Sequence, residues 1–272
     1  NVFEKFIRVG LMIRGILYVI LGWISFKFAF GWSTGVVDIS GVVASLHQMS
    51  WGRFISVAVI VGLASYSLWG FVRVFYDPFG KGTGVKGYLL RGGYLISAFS
   101  YLAVCLFAIR LSLQIYSFGL GEVSSNPIVY LVSQWWGEVV FRLIGLIVIG
   151  ASVMRLISGL KKSFVREVDI KTMPDYIKKI IIITGVAGSI ARSVVYGVIG
   201  YFIWYSPQRM ADLEDTGVDD ALYFIYQIPF PYGRVALMVV SAGLILFGLH
   251  SWLMGWRLKY RMRINEERLV DE

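Results

Sequence analysis

The sequence predicts an all-α integral membrane protein of six transmembrane helices, built as three tandem two-helix repeats in a pseudo-threefold arrangement with N and C termini cytoplasmic. Three observations carry this expectation: apolar runs of membrane-spanning length along the whole chain, basic residues gathered on alternate sides of those runs, and a motif that returns in the odd-numbered helices.

The apolar runs are Phe6–Phe30, Phe54–Val72, Tyr88–Ile109, Val139–Ile157, Ile180–Trp204 and Val235–Trp256. Each is close to the ~20 residues that a helix needs to cross about 30 Å of hydrocarbon, so they read as helices rather than as alternating barrel strands. Composition agrees: 57% of the 272 residues are hydrophobic and 16% charged, where a soluble domain carries about 25% charged residues. Mean hydropathy is +0.69. No convincing cleavage site follows the first run and its pattern recurs later, so it is expected to be a retained helix rather than a signal peptide. The single cysteine, Cys105, lies inside the third run. It allows no intrachain disulfide framework and reads as a small packing residue.

Charge placement sets the topology. Segments 1–8, 73–91, 155–179 and 257–272 hold 18 Lys and Arg, whereas 27–53, 110–142 and 206–234 hold 6. By the positive-inside rule the first set is cytoplasmic and the second forms three outer loops. The net charge of +9 is therefore a topology signal rather than a nucleic-acid footprint, and no nucleic-acid partner is expected. The basic tail Arg257–Arg263 suits anionic headgroups at the cytoplasmic face of a bacterial plasma (inner) membrane.

The repeat shows first in the odd helices. Gly10, Arg14, Gly15, Tyr18 and Gly22 have the same spacing as Gly188, Arg192, Ser193, Tyr196 and Gly200. The third helix keeps Gly87, Arg91 and Gly92 but has Leu95 and Phe99 where Tyr and Gly stood. After each odd helix comes a short amphipathic outer segment, opening at Ser40, at Asn126 with Pro127, and at Asp219, each taken as a helix cap. Each ends on an aromatic residue and a glycine (Trp51-Gly52, Trp136-Gly137, Tyr232-Gly233), at the depth where aromatic side chains prefer to sit. Gly62 and Gly243 then follow their pairs at equal distance. The units run over about 1–80, 81–170 and 171–272 of a single membrane domain.

These motifs resemble the bacterial multi-pass family called domain of unknown function 1206, whose members look like three consecutive two-helix units with Gly-x3-Arg-Gly-x2-Tyr near the start. The resemblance covers nearly all of the chain. The first unit fits well, the third moderately, and the second is the most divergent, with Glu138 in place of the basic residue after the glycine. It implies the architecture and carries no activity.

The costly residues are the arginines. An Arg near the centre of a membrane helix costs about 2.5–3.5 kcal/mol on insertion scales. Arg192 lies near mid-membrane, and Arg14 is shallow enough to snorkel toward the cytoplasmic surface. Gly10, Arg14, Tyr18 and Gly22 share one helix face, as do Gly188, Arg192, Tyr196 and Gly200; the glycines admit a neighbouring helix and the Tyr faces the guanidinium one turn away. The spans hold no Asp or Glu beyond their edges. The partner of the buried charge is therefore a set of backbone carbonyls, water, a lipid headgroup or a diffusible anion.

Other polar groups point nowhere sharper. His250 reads as an interhelical packing or hydrogen-bonding residue, and Glu138 and Arg142 should pair at the outer surface. The acidic loop from Asp212 to Asp220 lacks calcium-loop spacing, and Gly80–Gly84 lacks Walker spacing. No nucleophile–base pair, metal-ligand cluster or cofactor motif is present, so the expectation is a non-enzyme without cofactor or metal. Two functions lead, ahead of a sensor or regulator working through the short cytoplasmic segments. One is a structural or accessory module that binds lipid, a partner membrane subunit or a second copy of the chain through Arg14, Tyr18, Arg91, Arg192 and Tyr196. The other is a small-anion channel or transporter with Arg14, Arg91 and Arg192 lining the pathway.

Overall fold

The computed structural model describes residues 2–33, 35–76, 84–113, 136–167, 174–205 and 218–257. Six long helices, α1 (Val2–Ala29), α3 (Gly52–Phe75), α4 (Val85–Ser112), α5 (Gly137–Leu160), α6 (Asp175–Tyr205) and α8 (Tyr232–Arg257), are each long and apolar enough to cross a membrane. Two short helices, α2 (Ile39–His47) and α7 (Val218–Gln227), precede α3 and α8. No strand occurs among the described residues. The protein is a multi-pass helical membrane protein. Each long helix overruns its apolar run at one end or both, because backbone hydrogen bonding continues into the polar interface where side chains no longer need to be apolar. Part of the second outer segment, the turn at Gly80, the loop acids Asp212, Glu214 and Asp215 and the tail after Arg257 lie outside the described residues.

α1 and α8 form the most extensive seam. From this pair the contacts run outward, α8 to α6 to α5 on one side and α1 to α3 to α4 on the other. α4 and α5 meet at only a few points. In lipid no hydrophobic force draws apolar helices together, so close approach and dispersion decide which of them associate. The α1–α8 seam meets that need with glycine. A Cβ on Gly15 would lie 2.6 Å from the Gly248 carbonyl oxygen, and one on Gly248 would lie 2.5 Å from the Gly15 oxygen. The four stripe glycines fall at four different seams. A Cβ would lie 2.8 Å from the Tyr66 nitrogen on α3 at Gly10, 2.8 Å from the Ser241 oxygen on α8 at Gly22, 2.6 Å from Phe247 Cα on α8 at Gly188, and 2.9 Å from the Ile149 nitrogen on α5 at Gly200. Leu21, Leu63, Leu237 and Leu244 fill the space between α1, α3 and α8 with no more than 1% exposure. α5, by contrast, is the least buried span and presents Leu143, Leu146, Ile147 and Val153 outward.

The short helices each bury one face, with Val42 and Val43 on α2 and Ala221, Leu222 and Ile225 on α7. Their starts differ from the expected caps. The N-cap of α2 is Asp38, whose Oδ1 accepts from the Gly41 amide at 2.6 Å, and Ser40 is already inside the helix. A carboxylate two residues upstream makes a charge-assisted bond that outcompetes the hydroxyl. Likewise α7 begins at Val218, so Asp219 and Asp220 stand in its first turn.

Burial, and then the neighbouring Asp220 and Asp38 carboxylates, raise the Asp219 pKa above its ordinary 3.8. The native state therefore holds this proton more tightly than the unfolded chain. The contribution to stability is most favourable below 3.8, is lost as pH rises from there through the raised native value, and stays lost above it. Asp219→Asn is expected to unfold at a higher temperature than wild type at neutral pH, with the two curves converging in acid. Thermal unfolding in detergent across pH checks this, and a constant gap at all pH values would refute it.

Candidate functional site

Four guanidinium groups and three aromatic rings alternate across the interior. Arg73 on α3 lies 5.5 Å from the centre of the Tyr66 ring, and Arg14 on α1 lies 4.3 Å from the same ring. Arg14 is also 5.0 Å from Phe247 on α8, which in turn is 4.4 Å from Arg192 on α6. Arg192 is 5.2 Å from Tyr196, and Arg155 on α5 is 5.4 Å from that ring. Every ring in the ladder is shared by two cations. Tyr18 on α1 adds a further face to Arg192 at 5.2 Å. Tyr101 on α4 braces the centre: its hydroxyl donates to the Tyr18 hydroxyl at 3.3 Å, and its ring stands edge-on to Tyr66 at 4.6 Å.

Local sequence explains how the charges are held. Arg14 and Arg192 are only 8% and 3% exposed. Arg14 donates from Nη1 to the Tyr66 hydroxyl and from Nη2 to Ser251 Oγ at 2.8 Å, while Arg192 donates from Nη2 to the Tyr196 hydroxyl at 2.8 Å. The acceptors are thus hydroxyls, and the Nε of each arginine is buried without a hydrogen-bond partner among the described residues. Gly188 lets Phe247 close on α6, and the Arg192 side chain, leaning back toward the helix N-terminus, meets that ring. Both arginines are turned into the bundle. Arg14 is buried among the helices rather than reaching outward, and both guanidinium groups meet at the Phe247 ring.

Rings attract cations through their quadrupoles, at about 0.5–2 kcal/mol per contact, but they carry no net charge. The carboxylates within the six spans, Glu138 and Asp175, sit in the first turns of α5 and α6. Both are engaged elsewhere, Glu138 with Arg142 at 2.5 Å and Asp175 with Lys178 at 3.0 Å. Among the described residues no carboxylate reaches Arg14, Arg155 or Arg192. In a low dielectric such like charges repel strongly. Among the described residues the arrangement holds no carboxylate counter-ion, and it is chemically suited to an oxyanion, which takes several N–H and O–H donors at once.

Similarity to known sequences bears on these residues as well as on the fold. The sequence profile of the family Domain of Unknown Function (DUF1206) matches residues 9–77 and 187–257. The chain belongs to this family. It is also 29% identical over 256 residues to the uncharacterized protein YxxB of Bacillus subtilis (strain 168), covering 93% of this chain and 90% of that one. No solved structure matches the chain. The DUF1206 segments contain Arg14, Tyr18, Tyr66, Arg73, Arg192, Tyr196, Phe247 and Ser251; Tyr101 and Arg155 fall outside them.

The structure brings together Arg14, Tyr18, Arg192 and Tyr196. Arg91, placed by the motif as their third equivalent, is half-buried on α4 with its guanidinium 5.8 Å from the Tyr88 ring. Tyr66, Arg73, Tyr101, Arg155 and Phe247 stand outside the repeated Gly-Arg-Tyr-Gly motif, although one signal for them is present in the sequence. Tyr66 and Phe247 each follow their interface glycine, Gly52 and Gly233, by fourteen residues, so the aromatic partner of the arginine recurs with the repeat. His250 joins α8 to α6 by donating from Nδ1 to the Ile181 carbonyl at 3.2 Å, and its ring stands edge-on to Phe164. Cys105 is buried, with Sγ 3.6 Å from the Ile60 carbonyl.

Tyr66→Phe keeps the ring and removes the hydroxyl that serves both Arg14 and Arg73. A hydrogen bond to a charged group contributes about 1.5–3 kcal/mol, so a loss of that order is expected in denaturant titration. An unchanged midpoint would show that the hydroxyl bears no part of the charge.

Proposed function

We propose that this DUF1206 protein is a non-enzymatic module of the bacterial plasma membrane that binds an anionic group at the arginine–aromatic ladder. The single observation that supports this reading is a set of buried guanidinium groups whose partners are hydroxyls and rings, with no carboxylate among the described residues to neutralise Arg14, Arg155 and Arg192. An uncompensated charge in the membrane interior is expensive, and a bound anion offsets that cost. The ladder lies among the helices rather than on the lipid face, which makes it a binding centre rather than a row of surface anchors.

The finer architecture in this proposal is three two-helix units with boundaries near 80 and 170 and with both termini cytoplasmic. It is supported by the repeated motif, by the DUF1206 profile matching two separate stretches, and by the basic-residue asymmetry. Anionic lipid at the cytoplasmic face, and a second membrane subunit or second copy of the chain, are the partner classes that such a module would meet.

Inorganic phosphate and sulfate, added to delipidated protein in neutral detergent, should raise the unfolding temperature more than chloride at matched ionic strength. Equal effects of all three ions would refute a specific site. A small-anion pathway is the second reading, favoured by the interior position of the same ladder. It requires anion flux in proteoliposomes, and flux unchanged by Arg192→Gln would remove it.

A further inference from the structure

We infer that the anion arrives as the headgroup of an anionic phospholipid, sideways from the bilayer through the opening between α4 and α5. This rests on the anion-binding reading and adds the ligand class and the route.

The first observation is the incomplete circuit of helices among the described residues. Every other neighbouring pair, α1 with α3, α3 with α4, α5 with α6, α6 with α8 and α8 with α1, packs along a substantial seam, whereas α4 and α5 barely touch. α5 is committed to α6 through Gly145, whose Cβ would lie 2.5 Å from the Trp204 nitrogen, and through Gly159 against Ser189. α4 is committed to α3, with Ser67 Oγ donating to the Ala98 carbonyl at 2.9 Å.

The second observation is where the ladder ends. Arg73, at one end, lies 4.4 Å from the Tyr94 ring on α4, and Arg155, at the other, belongs to α5 itself. The charged row therefore spans the interior from one flank of the opening to the other. Arg155 makes no hydrogen bond among the described residues, and its guanidinium has only the Tyr196 ring. That leaves its donors free for phosphate oxygens.

The third observation is the chemistry of the rims. Arg155 terminates a helical stripe of Ile144, Val148 and Ala151 on α5, spaced i, i+4, i+7 and i+11. None of these three is fully buried. On α4, Gly93 has nothing within 4 Å of where a Cβ would stand, and Ser97 and Val104 continue the same side of the helix half-buried. A hydrated free ion gains nothing from apolar walls. A lipid places its chains against them and its phosphodiester among the guanidinium groups, so charge complementarity and apolar rims select the same ligand.

The test compares dioleoyl-phosphatidylglycerol, dioleoyl-phosphatidylcholine and inorganic phosphate on the delipidated full chain in neutral detergent. Lipid binding is read by native mass spectrometry and phosphate by thermal shift. Phosphatidylglycerol should bind at least about tenfold more tightly than phosphatidylcholine. Gly93→Trp, at a position where an added Cβ meets nothing within 4 Å, should weaken phosphatidylglycerol by a similar factor while leaving the phosphate shift intact. Ala151→Trp makes the same change from the other rim. Arg155→Gln should weaken both ligands. A photoreactive phosphatidylglycerol on wild type should label peptides of α4 and α5, a readout that needs no variant to fold. A phosphate shift without preference for phosphatidylglycerol overturns the lipid inference and leaves the anion site standing. Labelling confined to other helices, or tight lipid binding unaffected by either Trp, overturns the route. Absence of both phosphate and lipid binding overturns the inference and the underlying reading together.

Discussion

Arg192→Gln abolishes anion-induced stabilisation while leaving the unliganded protein as stable as wild type, or more so. Arg192 is 3% exposed, touches the rings of Tyr18, Tyr196 and Phe247, and donates from one nitrogen to Tyr196. Losing the charge forfeits three cation–π contacts of about 0.5–2 kcal/mol each and one charge-assisted hydrogen bond. The substitution also relieves the cost of the buried charge, about 2.5–3.5 kcal/mol, and its repulsion with Arg14 and Arg155, and it leaves no carboxylate unpaired. These opposing terms nearly cancel without ligand. With ligand they do not, because an oxyanion loses one of its central donors, and affinity should fall on the order of 100-fold. A purely structural arginine gives the opposite pattern, with a large loss of unliganded stability and no change in the phosphate response. Thermal unfolding with and without phosphate separates the two. Arg192→Lys keeps the charge but loses the planar fork, and should fall between.

Gly248→Leu dismantles both the fold and the ladder. A Cβ at this position would lie 2.5 Å from the Gly15 oxygen and 2.7 Å from the Val19 nitrogen, both backbone atoms of α1 that cannot rotate away. The α1–α8 seam must open, and overpacking of this kind costs about 1–3 kcal/mol or more. The same opening pulls Ser251 and Phe247 away from Arg14. Both the unfolding midpoint in denaturing detergent and the phosphate response should therefore drop. Gly248→Ala should act in the same direction and less strongly. A Leu variant with a wild-type midpoint would show that this seam does not hold the bundle together.

Much of the candidate site was legible one helix at a time. Spacing put Arg192 beside Tyr196, because residues four apart share a helix face, whereas Tyr18 meets Arg192 of α6 and Arg14 meets Tyr66 of α3. Partners on other helices were not legible. Arg73 and Arg155 sit near helix ends, where basic residues also serve as topology markers, so nothing in their position distinguished them. Phe247 and Tyr66 were two among many aromatic residues of apolar runs until the arginines were seen to stack on them. The second unit shows the limit from the other side. Its motif arginine, Arg91, lies by Tyr88, while Arg155, outside the motif, reaches the ladder.

What the sequence determined by itself is the number of membrane-capable helices, their approximate bounds and the two short helices before α3 and α8. These follow from hydrocarbon thickness and backbone hydrogen bonding, which act on each segment alone. What only the tertiary structure decided is that the costly arginines share their rings, that two further arginines join them, and that among the described residues α4 and α5 barely meet. Those features depend on which glycines meet which backbones and on which way long side chains lean, and packing between distant segments sets both.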